Sequence, residues 1–419
     1  MLRPVRLLVC GLWLVLAASA AATAQRPLRA AALENVRGLW VPRTALATPD
    51  SIAAVIQVAE RGGFNTLLVQ VRGRGEAFYR SQIDPRATDL DRQADDFDPL
   101  ATAVDLAHRA GLQIHAWVNV NLVASGTTLP RSRAHVASLH PEWLMVPKAL
   151  ATSMASITPR SPAYLGSLAR WTRGASDRVE GLYLSPIAPA AQEYTAGVVK
   201  ELVEQYAVDG VHFDYIRYPA ADFDYSPAAL SAFRGAVAPA RSAAERQQLD
   251  RAAVADPSAW ADALAPEWAA FRRDRLTALV RRLQGIVRTA RPAAVVSAAV
   301  VPSATAARDE RLQDWSAWAR AGYLDVVCPM IYTTDAAEFA ALAAGVDAEL
   351  GDKPFWAGIG AWKLPVAQTI EHVRLARRAR AAGILLFSSE QFAAAGAPAS
   401  ALSALRPVLL ESPTAGTSR

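Results

Sequence analysis

Eight short apolar runs, each separated from the next by a segment of helical character, constrain this chain more than any other feature. They fall at residues 36–41 (VRGLWV), 64–71 (FNTLLVQV), 112–119 (LQIHAWVN), 208–214 (VDGVHFD), 293–300 (AAVVSAAV), 323–330 (YLDVVCPM), 354–360 (PFWAGIG) and 384–388 (ILLFS). Several are apolar throughout rather than alternating. A strand of that kind is covered on both faces, as in a parallel sheet flanked by helices. The intervening segments carry apolar stripes at helical spacing: Ile52, Val55, Ile56 and Ala59; Leu100, Ala103, Val104 and Ala107; Val199, Leu202, Val203 and Tyr206. Thr48-Pro49-Asp50 and Asp98-Pro99 open two of the helices, with a capping side chain followed by a proline at the first helical position. Gly62-Gly63 and Gly111 close them.

Eight strand–helix repeats favour a closed (β/α)8 barrel over an open, doubly wound sheet. The predicted organisation is one barrel at 36–395, with long insertions after the third strand (120–192) and the fourth (222–266). A C-terminal segment at 396–419 ends in a disordered tail. No G-x-G-x-x-G follows the first strand and no P-loop occurs, which removes the main nucleotide-binding alternatives. Trp268, Trp315 and Trp318 sit at helical positions and are expected to pack.

The first residues bear on the compartment. Arg3 and Arg6 precede an apolar core at 7–18 that is short for a membrane span, and Ala22-Thr23-Ala24 is an A-x-A cleavage signal. A signal peptide at 1–24 and a linker at 25–35 are therefore expected, with a periplasmic or secreted product and no stable membrane insertion after cleavage. Val9, not a small residue, precedes Cys10, so no lipid anchor is expected. Cleavage removes Arg3 and Arg6, taking the formal charge from +5 to +3. It leaves Cys328 as the one cysteine, in an apolar strand where it is expected to be a core residue. No dense Lys/Arg run interleaved with aromatics is present, so nucleic acid is not an expected partner.

The fourth run carries the densest chemistry. Alternate residues of a strand share a face, so His212 and Asp214 point one way and Val211 and Phe213 the other. In a parallel barrel the C-terminal strand ends form the ligand-binding rim. The groups delivered there are Gln70, Arg72 and Glu76 from the second strand and its loop, and Trp117 and Asn119 from the third. The fourth brings His212, Asp214, Tyr215, Arg217 and Tyr218; later strands add Tyr332, Trp362 and Glu390. Aromatic rings stack on the C–H faces of sugars, while carboxylates, amides and arginines hold hydroxyls. Glycoside hydrolysis uses two carboxyl groups across the scissile bond. Asp214 is the first candidate and Glu76 its chosen partner, followed by Glu390, then Asp335 and Glu193. The six histidines, at 108, 115, 135, 140, 212 and 372, show no H-E-x-x-H or paired spacing. No G-x-S-x-G elbow is present. Neither a metal nor another cofactor is expected.

Several motifs, in order, resemble the glycosyl hydrolase-like family 10 proteins: Arg37-Gly38-Leu39-Trp40, Gln70-Val71-Arg72 through Glu76-Ala77-Phe78-Tyr79-Arg80-Ser81, and His115-Ala116-Trp117-Val118-Asn119. His140-Pro141-Glu142-Trp143, Tyr183-Leu184-Ser185-Pro186, the fourth run and Pro329-Met330-Ile331-Tyr332 continue the likeness. The resemblance implies an exported (β/α)8 glycoside hydrolase acting on bacterial polysaccharide, above all the glycan strands of peptidoglycan. A non-catalytic envelope glycan-binding protein and a hydrolase of another exopolysaccharide are the alternatives. The family commonly has Asp-Asp-Tyr where this chain has Asp214-Tyr215, which leaves Asp214 as the one carboxylate at that strand end.

Overall fold

A computed structural model describes residues 32–393 and 399–411. The expected signal peptide, most of the expected linker and residues 412–419 lie outside the described residues. Eight parallel strands close into a barrel. In chain order the strands are β1 (Val36–Val41), β2 (Thr66–Arg72), β3 (Gln113–Asn119), β4 (Leu122–Ser125), β5 (Gly181–Tyr183), β6 (Gly210–Asp214), β7 (Val295–Val300), β8 (Val326–Ile331), β9 (Trp356–Gly360) and β10 (Gly383–Phe387). Around the barrel they run β1-β2-β3-β6-β7-β8-β9-β10 and back to β1, while β4 and β5 form a separate antiparallel pair. The (β/α)8 expectation holds. The first run is a strand over its full predicted length; the second to seventh begin one to three residues later, where the backbone leaves the preceding turn, and the eighth begins one residue earlier, at Gly383.

Strand alternation sorts the side chains. Val211 and Phe213 join Val69, Val118, Val296 and the inner faces of the helices in the large outer core. Trp40, Leu68, Trp117, Cys328 and Trp356 fill the barrel interior. Small residues make room for these rings. A Cβ on Gly358 would come within 2.9 Å of the Trp40 ring and 2.7 Å of the Pro329 carbonyl oxygen. Likewise, a Cβ on Gly210 would come within 2.6 Å of the His115 ring. Trp268, Trp315 and Trp318 are buried packing residues, as is Cys328.

Both insertions fold. Residues 120–192 carry β4, β5 and the helix Pro162–Gly174 around a core of their own that includes Val123, Val146, Tyr164, Leu168 and Leu182. The second insertion forms the helices Pro227–Val237, Ala243–Ala255 and Ala259–Ala263. Phe233, Tyr225 and Leu230 pack there against Trp268 of the long helix Ala265–Ala290. The C-terminal helix Ala399–Leu410 docks on the barrel: Arg377 donates to the Val408 and Leu409 carbonyls, and Arg406 to those of Glu60 and Arg61. Among the described residues no helix is long and apolar enough to cross a membrane.

Candidate active site

A cleft of about 320 Å³ opens at the C-terminal ends of the strands, the rim where barrels of this kind place their ligands. At its floor stands Asp214, the last residue of β6, paired in register with Asn119 of β3. Tyr215 follows with φ +49, in the left-handed region that side-chain-bearing residues seldom adopt. This turn directs the Tyr215 N–H back to Asp214 Oδ1 at 2.6 Å. Arg217 Nη1 donates to the same oxygen at 3.2 Å. Burial raises the Asp214 pKa above the ordinary aspartate value, opposed by the Arg217 charge, the Tyr215 N–H and the Trp117 indole. The indole makes no full hydrogen bond of its own.

Arg217 is itself buried and held on three sides. It stacks 4.2 Å from the centre of the Tyr215 ring, contacts Asp214, and places Nη2 3.8 Å from Glu180 Oε1. These neighbours raise its pKa despite burial, so it stays cationic. Glu180, half exposed, accepts from the Tyr183 hydroxyl at 2.7 Å.

A polar ladder crosses the cleft floor toward β1. Gln70 Nε2 donates to Asn119 Oδ1 at 3.3 Å, and Asn119 Nδ2 donates to the Gly73 carbonyl at 2.7 Å. Gln70 Oε1 accepts from the backbone N–H of Arg43 at 3.3 Å. Opposite stands an aromatic wall. Tyr332 meets Trp362 edge-on at 4.8 Å, and Trp40 and Phe387 close behind Tyr332 at 6.4 and 5.8 Å. Such a wall offers flat apolar faces to sugar rings.

The structure brings Gln70, Trp117, Asn119, Asp214, Tyr215, Arg217 and Tyr332 together around this cleft. Five expected site residues stand elsewhere. Arg72 is fully buried, in an ion pair with Asp84 at 2.6 Å, and donates to the Asn119 carbonyl at 2.6 Å; it braces the cleft wall from behind. His212 lies in the barrel interior beneath Asp214, between Trp40 and Ser297. Tyr218 is fully buried with its ring toward Arg272, because the chain turns inward after Arg217. Trp362, 42% exposed, stands outside the cleft lining on the edge of Tyr332. Glu76 turns away toward the Thr88 backbone and Asp89, where burial and that neighbouring carboxylate raise its pKa.

The carboxylates lining the cleft are Asp214 and Glu390. Glu390 follows β10, which lies diametrically across the barrel from β6. It accepts from the Thr44 hydroxyl at 2.9 Å. Of the other acids considered, Asp335 caps the helix Ala336–Leu350 and Glu193 pairs with Arg282 on the surface. Trp40, Arg43, Arg74 and Phe387 line the cleft as well and are not among the site residues expected from the sequence. The inward alternation along β1 could have exposed Trp40; arginines in an arginine-rich chain carry no comparable signal. Among the described residues no cluster of His, Cys, Asp or Glu is arranged to hold a metal ion.

A closed parallel barrel whose rim holds two carboxylates across an aromatic-walled cleft defines a glycosidase-type (β/α)8 barrel. The model of the family Glycosyl hydrolase-like 10 matches residues 28–350, and the chain belongs to that family. It is 23% identical over 366 residues to the glycosyl hydrolase YngK of Bacillus subtilis, covering 81% of this chain and 61% of that protein. Over 338 residues it is 25% identical to the glycosyl hydrolase DigH of Escherichia coli, covering 73% of this chain and 66% of that one. The matches thus span less than two thirds of either relative's length. Among solved structures, the glycoside hydrolase domain of PgaB (BpsB) from Bordetella bronchiseptica superposes with a TM-score of 0.62 at 17% identity. That match covers 90% of this chain and 99% of the domain, and it bears on the fold.

Proposed function

We propose that this chain hydrolyses glycosidic bonds in a bacterial polysaccharide outside the cytoplasm, and that its substrate is the glycan strand of peptidoglycan. The observation that carries the reading is the placement of Asp214. It is a buried carboxyl group of raised pKa on the cleft floor, with a second carboxylate, Glu390, on the opposite strand end. Family membership and the motif resemblance support the polysaccharide class. The A-x-A signal at 22–24 supports export.

In the proposed reaction, Asp214 gives its proton to the glycosidic oxygen as the bond from that oxygen to the anomeric carbon breaks. Water forms the new bond to that carbon, and Glu390 takes the proton the water loses. Glu390 replaces Glu76 as the proposed partner because Glu76 does not line the cleft. A single displacement of this kind, by water activated at the second carboxylate, inverts the anomeric centre. Trp117 and Tyr332 position the sugar beside Asp214, and Arg217 holds the carboxyl group in place.

The reading is tested by incubating purified protein with amidase-stripped glycan strands and analysing the products by mass spectrometry. New reducing ends with the wild type, and none with Asp214→Asn, are expected. Binding without cleavage by the wild type would favour a glycan-binding protein instead.

A further inference from the structure

The first insertion reaches the turn after β6 through the strand pair β4–β5. The two strands lie so close that a Cβ on Gly181 would collide with the Ala124 carbonyl oxygen. Just ahead of Gly181, the Glu180 carbonyl accepts from the Gly126 N–H at 3.2 Å, so the pair sets where Glu180 stands. Buried Asn121, from the same insertion, clamps the turn itself. Its backbone N–H donates to the Tyr215 carbonyl at 3.3 Å, and its Nδ2 donates to the Arg217 carbonyl at 3.2 Å.

The Glu180 side chain is held at both oxygens. Oε2 accepts from the buried Tyr183 hydroxyl at 2.7 Å, and Oε1 stands 3.8 Å from Arg217 Nη2. Arg217 turns its other terminal nitrogen, Nη1, to Asp214 Oδ1 at 3.2 Å. One guanidinium therefore spans two carboxylates, Asp214 on the cleft floor and Glu180 on the insertion, outside the cleft lining. Burial holds Tyr215, which faces both acids, in its neutral form, and does the same for Cys328 and Tyr332, which face Asp214 from β8 and the residue after it. The Trp117 indole faces Asp214 from β3 and carries no charge. The other charged groups of the cleft lining are Arg43, Arg74 and Glu390. A guanidinium beside a carboxyl group favours the anion; a second carboxylate on that guanidinium offsets part of the effect.

We propose that Glu180 is a positioning residue for the reaction: from the insertion it holds the Arg217 guanidinium in place and shares its positive charge, so that Asp214 keeps the proton a general acid must give. This inference rests on the glycan-hydrolase reading and assigns the insertion a part in the chemistry. Glu180 touches neither the cleft nor Asp214, and acts through Arg217.

The test compares the wild type with Glu180→Gln, which keeps an acceptor for Tyr183 and removes the charge. Glu180 is half exposed, and circular dichroism checks that the variant is folded. Two quantities are followed against pH: kcat/KM on peptide-stripped glycan strands, and the carboxyl-carbon NMR shift of Asp214, assigned with Asp214→Asn. Without the Glu180 charge, Arg217 stabilises the Asp214 anion more strongly. The basic limb of the rate profile and the Asp214 titration should both move down by about 0.5–1 pH unit. Glu180→Asp, which keeps the charge, should show a smaller displacement. A residue that only braced the fold would lower the rate by one factor at every pH. An Asp214 titration unmoved by Glu180→Gln would overturn the proposal, whatever happens to the rate. A titration that moves as expected in a protein whose wild type never cleaves would overturn the hydrolase reading and leave the link from Glu180 to Asp214 standing.

Discussion

The indole nitrogen of Trp40, on β1, donates to Nε2 of His212, on β6, across 3.1 Å of the barrel interior. The direction of that bond sets the rest of the network. Since Nε2 accepts, the proton sits on Nδ1, which donates to Ser297 Oγ at 2.8 Å. The imidazole is thus a neutral, fully buried brace beneath Asp214. Burial lowers its pKa to about 3 and that of nearby His115 to about 4. Nitrogen chemical shifts should show His212 as the Nδ1–H tautomer, unprotonated at pH 5; a protonated ring at that pH would contradict the assignment.

The same two histidines contribute to acid stability. In the unfolded chain they protonate near the ordinary value of about 6.5, whereas in the fold they resist until about 4 and 3. Between those limits the unfolded state binds more protons, so stability falls as pH drops below about 6.5. The expected slope is on the order of 1 kcal/mol per pH unit for each histidine. Urea midpoints measured from pH 7 to pH 4 should decline, and His212→Gln should flatten the decline. A midpoint constant over that range would contradict the buried neutral state.

The ion pair of Arg72 with Asp84 is buried on both sides. Removing one member leaves the other charge without compensation, a loss of about 3–5 kcal/mol in such pairs. Asp84→Ala should lower the urea-derived stability by that amount. Arg72 also ties β2 to the carbonyl of Asn119, so the hydrolysis rate should fall too, even at temperatures where the variant remains folded.

Glu390 and Glu76 separate cleanly by mutation. Glu390→Gln should reduce kcat about 10²–10⁴-fold, the range for loss of a general base, while Glu76→Gln should leave kcat near the wild-type value. The reverse pattern would return the partner role to Glu76. Proton NMR of the first product should show an inverted anomeric centre.

Trp362 stands exposed on the edge of Tyr332, where a sugar leaving the cleft would meet it. Trp362→Ala should raise KM several-fold with kcat little changed, because an aromatic contact contributes about 0.5–1.5 kcal/mol. An unchanged KM would place the substrate path elsewhere.

Much of the barrel was legible in the sequence because its strands are local apolar runs. β1 and the inward face of β6, with His212 under Asp214, follow from alternation alone. The insertions were not legible as structure: β5 has three residues and pairs with β4 from a distant part of the chain, which leaves no periodic trace. The roles of Arg72 and Glu76 turned on long-range partners. Arg72 met Asp84 and was drawn beneath the rim, while Glu76 turned toward Thr88. Glu390, expected at the rim from the eighth strand, lies across the cleft from Asp214 because barrel closure sets β10 opposite β6.

In the proposed reaction Asp214 supplies the proton that cleaves the glycosidic bond. The most direct test is the appearance of reducing ends on peptide-stripped glycan strands with wild type and Asp214→Asn at equal concentration, with folding of both checked by circular dichroism. Cleavage by the wild type and a loss of at least about 10²-fold in the variant are expected. Undiminished cleavage by a folded Asp214→Asn protein would contradict it.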